Sequence, residues 1–120
     1  MFDNTFEKAR ELGRLLGQTE EYRALQRARQ RIGEDREANE LIQRLSVLEV
    51  QITQALQRGE TPSEALQAEY EQVFNELQAS PAYQQFVAGQ ANFDRLLARV
   101  NEEIGKGIEA GAQSRIILPS

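Results

Sequence analysis

The chain has 120 residues, a formal net charge of -5, and neither cysteine nor histidine. That length suits a single domain with a real core, and the missing side chains exclude disulfides, thiolate or imidazole metal sites, cysteine nucleophiles and the commonest general base. The acidic balance disfavours general binding to a phosphate backbone, DNA included.

No apolar run approaches the roughly 18 residues of a membrane span, and the first residues lack the basic and apolar regions of a signal peptide, so a cytoplasmic location is the expectation. Leu, Ile, Val and Phe make up a quarter of the chain, enough to drive folding. The β-branched alternation of strands is confined to Arg115-Ile116-Ile117-Leu118. The expected fold is therefore all-α: an elongated bundle of about five helices, built on long antiparallel ones, with a short C-terminal tail. One helical domain covers 1–120, with N-terminal helices in 1–33, a helical hairpin in 35–78, a long helix over 81–111 and a tail over 112–120.

In chain order, Phe2, Phe6, Ala9, Gly13 and Leu16 line one face of a first helix that Gly17 stops. Thr19 is a good cap for a second helix, Glu20 to Ile32, striped by Tyr22, Leu25, Ala28 and Ile32. Gly33 ends it, and Asp35 opens a third. From Asp35 to Arg58 the apolar pattern is a heptad, with Ala38, Leu45 and Ile52 at one position and Leu41, Leu48 and Ala55 at the other. Gly59 sits where a left-handed, helix-ending residue is wanted. Thr61-Pro62-Ser63-Glu64 reads as a capping box with proline at the first helical position, and the helix it starts carries Leu66, Tyr70, Val73 and Leu77. So short a connection between long helices forces them antiparallel. The last helix starts at Ser80-Pro81, and Gly105, Gly107 and Gly111 each weaken it by about 1 kcal/mol relative to alanine, so that it frays there.

The last helix carries a seam of Phe86, Gln90, Phe93, Leu97, Val100 and Ile104. Gln90 stands as a lone amide on it, flanked by Ala88, Gly89 and Ala91. Small residues let another helix approach closely, and a buried amide fixes register, so Phe86, Gly89, Gln90, Phe93, Leu97, Val100 and Ile104 form a candidate oligomer or partner interface. A catalytic reading would need a nucleophile or titratable pair, and only Asp94, off the seam, is present. A di-metal carboxylate centre would need Glu-x-x-His motifs; without histidine, and with glutamates at outward positions, no metal or other cofactor is expected. Gly105-Lys106-Gly107 lacks the preceding strand and following Ser or Thr of a phosphate loop. Arg23, Arg27 and Arg31 share one helix face: a solvated face, or a docking surface for RNA or an acidic partner.

Taken together, "EYRALQRARQRIGEDREANELIQRL" at 21–45, "LQASPAYQQF" at 77–86 and "NFDRLLARVNEEI" at 92–104 resemble the YlbF/YmcA family of small bacterial helical proteins. Tyr22, Ala28, Ile32, Asp35, Leu41, Leu45 and the Ser80-Pro81 elbow carry the pattern. The resemblance implies a cytoplasmic, self-associating adaptor rather than an enzyme. It also implies complexes with related helical subunits, tied to competence, sporulation, biofilm formation and messenger-RNA maturation by RNase Y. Some members carry cysteines associated with iron–sulfur clusters; this chain has none, and that cofactor does not carry over. Beside the adaptor stands a second reading, a coiled-coil scaffold or holdase that binds RNA or an acidic partner through the arginine face.

Overall fold

A computed structural model of the chain describes the backbone of residues 2–117 and the side chains of 4–113. The Phe2 side chain and the end of the tail, 118–120, lie outside the described residues. Five helices and no strand make up that span: α1 (Phe2–Gly17), α2 (Glu20–Glu34), α3 (Arg36–Gln57), α4 (Glu64–Gln78) and α5 (Pro81–Ile117).

Each helix boundary has a local chemical cause. Thr19 caps α2 by accepting from the Tyr22 N–H at 3.2 Å while its hydroxyl donates to the Leu16 carbonyl at 2.7 Å, so one side chain closes α1 and opens α2. Asp35 does both jobs at the next corner: its N–H donates to the Ile32 carbonyl at 3.2 Å and its carboxylate accepts from the Ala38 N–H at 2.9 Å. Helix α2 therefore runs one turn position past Gly33, to Glu34, rather than ending at Ile32. Gly59 takes φ 75°, and the Glu60 N–H reaches back to the Ala55 carbonyl at 2.9 Å, the bond that finishes α3. The cap of α4 is Ser63, whose hydroxyl accepts from the Leu66 N–H at 3.1 Å. Proline 62 thus precedes the helix instead of occupying its first position, and its carbonyl accepts from the Gln67 side chain at 2.7 Å.

The helices pair in sequence-distant and sequence-local ways. Helix α2 packs antiparallel on the first half of α5, and α3 packs antiparallel on α4. The hairpin core is Leu41, Leu48, Val73 and Leu77, with Leu45, Leu66 and Tyr70 around it. A second cluster, Ile32, Ala38 and Ala82 with Phe86 and Tyr83, joins the two pairs end to end. The result is a layer two helices wide, with extents of 72 × 38 × 21 Å and a radius of gyration of 22.0 Å, against about 14 Å for a compact chain of this length. No buried polar side chain occurs among the described residues.

Helix α5 continues through Gly105, Gly107 and Gly111 to Ile117, 37 residues in all, instead of ending at 111. Ion pairs of Arg99 and Lys106 with Glu103, at 3.6 and 3.4 Å, span the first of these glycines, Gly105. Among the described residues, no helix is long and apolar enough to cross a membrane.

Candidate interaction surfaces

The seam on α5 divides into two stretches with different surroundings. Phe86 lies in the junction cluster. Gly89 is buried against α2, where a Cβ built on it would stand 3.3 Å from the Leu25 Cα and 3.7 Å from its Cδ1. Phe93 meets Tyr22 with ring centroids 5.2 Å apart and planes at 58°, a tilted geometry that suits the ring quadrupoles. The helix that Gly89 admits so closely is therefore α2 of the same chain. Gln90 is half-buried, and its amide donates to the Asp94 carboxylate one turn along at 3.0 Å, so within the chain it is satisfied by its own helix.

Beyond Asp94 the stripe outruns α2. Leu97 and Val100 are half-buried, Ile104 is 45% exposed and Ile108 67%. From Asn101 to Gln113 every residue except Gly105 is exposed. Helix α1 is in the same condition: Phe6 and Leu15 are each 57% exposed, with only Leu12 and Leu16 half-buried among its described larger apolar side chains. A 16-residue helix with so little packing is marginal in water by itself. Sequence reading missed Phe6, Leu15 and Ile108 as surface candidates, although Ile108 continues the Ile104 stripe by one turn.

Arg23, Arg27 and Arg31 do line one exposed face of α2. Arg27 pairs with Glu20 at 2.7 Å, both ends in solvent, and Arg31 donates to the Gln85 side-chain carbonyl across the α2–α5 gap. The hydrogen bond and charge of Arg27, with a smaller contribution from Arg23, hold the Glu20 carboxyl below the usual carboxylate range. A shallow groove of about 450 Å³ runs beside Arg27 and Arg31, lined also by Ala24, Ala28 and Gly89. No three His, Cys, Asp or Glu side chains among the described residues converge as metal ligands would.

Residues 5–109 match the family described as "Control of competence regulator ComK, YlbF/YmcA". The chain belongs to the YlbF/YmcA family. Two curated relatives extend that kinship. A UPF0342 protein of Leuconostoc citreum (strain KM20) is 25% identical over 105 residues, 88% of this chain and 89% of the relative. Another UPF0342 protein, of Streptococcus mutans serotype c, is 29% identical over 87 residues, covering 72% and 77%. The fold is similar to that in a crystal structure of Bacillus subtilis RicA in complex with RicF, with a TM-score of 0.79 and 19% identity over 91% of this chain and 96% of that one. As a YlbF/YmcA member this chain is thus a helical protein of a regulatory family, and the end-to-end pairing of α2–α5 and α3–α4 is its form of that fold.

Proposed function

We propose that the protein is a non-catalytic, cytoplasmic regulatory adaptor that works by protein–protein contact, first of all with a second copy of itself or a related family member. The observation that carries this reading is the distal arm: α1 and the end of α5 expose Phe6, Leu15, Ile104 and Ile108, and exposed apolar stripes of that extent mark contact surfaces. A fold neighbour crystallised as a complex of RicA with RicF supports a protein partner. The interface then uses Leu97, Val100 and Ile104 of the α5 seam, while Phe86, Gly89 and Phe93 hold the chain's own α2. Within its regulatory role, we assign the adaptor to RNase Y-dependent messenger-RNA maturation and developmental control.

Light scattering tests the first part. A mass above the 13.6 kDa of one chain is expected at micromolar concentration, falling on Ile104→Glu/Ile108→Glu; a single-chain mass for the unaltered protein rejects it. Deletion in the native host tests the second part, since unchanged cleavage of RNase Y-dependent transcripts rejects that role. The arginine face supports a second reading, binding of RNA or an acidic partner. Its affinity would fall steeply with added salt, and loss of Arg23, Arg27 and Arg31 together would abolish it.

A further inference from the structure

Helix α3 has two stripes. One is the buried heptad already described. The other, on the opposite side, is Gln43, Val47, Val50, Gln54 and Gln57, spaced four, three, four, three, which is again the spacing of a coiled-coil seam. Val47 and Val50 at its centre are 57% and 52% exposed. Ser46, Gln51 and Thr53 flank them, so this side of α3 carries no charge over three turns.

The two charged side chains of α3 in that span, Arg44 and Glu49, both reach α4: Arg44 pairs with Glu69 at 3.1 Å, and Glu49 accepts from the Tyr70 hydroxyl at 3.5 Å. The ridge itself is left neutral, with shallow grooves of about 500 Å³ on its α4 side and about 430 Å³ on the other. A solvated face in this chain looks different: the outside of α2 carries Glu20, Arg23, Arg27 and Arg31, all exposed. Depletion of charge around an apolar centre is the composition of an interface core.

We infer that the Val47–Val50 ridge of α3 packs antiparallel against the same ridge of a second copy, on a two-fold axis between Val47 and Val50. This contact is separate from the distal arm and stands whether or not the arm self-associates. Symmetry and charge choose both occupant and direction. About such an axis Val47 meets Val50 of the partner subunit, Gln43 meets Gln54 of the partner subunit, and Glu40 meets Gln57 of the partner subunit. Apolar side chains thus meet at the centre, the amides of Gln43 and Gln54, which donate and accept at once, meet on either side, and at each end a Gln57 amide can donate to a Glu40 carboxylate. A parallel arrangement would set Glu40 against Glu40 and Arg36 against Arg36 of the partner subunit, juxtapositions that cost stability. The overlap, residues 40 to 57, gives a seam about 27 Å long at 1.5 Å per residue. A seam of that size holds copies together in a concentration-dependent way.

The absence of native cysteine makes the register directly readable. Gln43→Cys and Gln54→Cys are prepared as separate full-length variants, mixed and oxidised. A disulfide dimer joining the two variants is expected, with none in either variant alone, because like positions lie about 16 Å apart along the axis. Cross-linking within Gln43→Cys alone, or no cross-linking in the mixture, overturns the proposal. Mass provides the second reading. Val47→Glu/Val50→Glu, both at exposed positions, should halve the mass found for the unaltered protein, whereas Ile104→Glu/Ile108→Glu should leave this contact and its cross-link in place. An unchanged mass for Val47→Glu/Val50→Glu, with the arm variant reduced to single chains, rejects the ridge while leaving the arm standing.

Discussion

The side-chain amide of Asn39 donates to the Ile32 carbonyl at 2.8 Å and to the Asp35 carbonyl at 2.9 Å, tying the end of α2 to the start of α3. The Ile32 carbonyl has lost its helical partner at this corner and is shared with the Asp35 N–H. Asn39→Leu keeps the bulk and removes both donors. At about 0.5–1.5 kcal/mol for each hydrogen bond, urea unfolding should show a loss of about 1–3 kcal/mol; an unchanged midpoint would mean that water replaces the amide at no cost.

Position 89 is expected to reject size. A leucine there must displace the backbone at Leu25, a residue with 0% exposure, and overpacking of this kind costs about 1–3 kcal/mol. Leucine is the better helix former by nearly 1 kcal/mol, so the steric loss has to exceed that gain. A thermal melt of Gly89→Leu should fall below the unaltered protein, and a rise would place the glycine at a looser contact than the geometry gives.

Gln90→Leu should change little. The lost bond to Asp94 is an exposed pair one turn apart, a class that contributes about 0.2–0.5 kcal/mol. Melting temperature and light-scattering mass should both match the unaltered protein. A mixture of assembly states would instead identify Gln90 as a register-setting residue between copies.

Glu20 supplies a pH test with a definite sign. Its folded pKa is held below the usual carboxylate range by Arg27, so the stabilisation from Arg27 is present in full above the unfolded pKa and is lost as pH falls through the folded one. Glu20→Gln should therefore lower stability slightly at pH 7 and by progressively less as the pH falls through the acid range, and 1 M salt should shrink the difference, because the pair is exposed. A difference that does not shrink as the pH falls would assign the effect to something other than the carboxylate charge.

Helix punctuation was legible in the residues because its chemistry is local. Thr19, Asp35, Gly59 and Ser80 each act within a few positions of themselves. The choice between Thr61 and Ser63 was not, since either hydroxyl can cap a helix at that spot and only Ser63 does. Stripes posed a harder problem. Periodicity identifies a face and carries no information about what covers it, so Phe86 to Ile104 read as one surface although α2 covers only its first half. The second stripe of α3 is not legible in the sequence because three of its five members are glutamines, which add nothing to an apolar period, and because the stronger heptad on the same helix masks it.

The pairing of α2 with α5 sets the order in which this chain can assemble. Leu25 and Gly89 are 64 positions apart in sequence, and closing so long a loop from a disordered chain carries a large entropic penalty. Helices α3 and α4 are joined by only six residues, 58–63, and can meet first at a much smaller penalty. Once they do, Asp35 and Ser80, at the open end of the hairpin, are held near each other and the remaining search of α2 for α5 is short. Sequence changes that weaken Leu41, Leu48, Val73 or Leu77 should therefore slow folding of the whole molecule, and not only loosen the hairpin, because the long-range contact is reached through the local one.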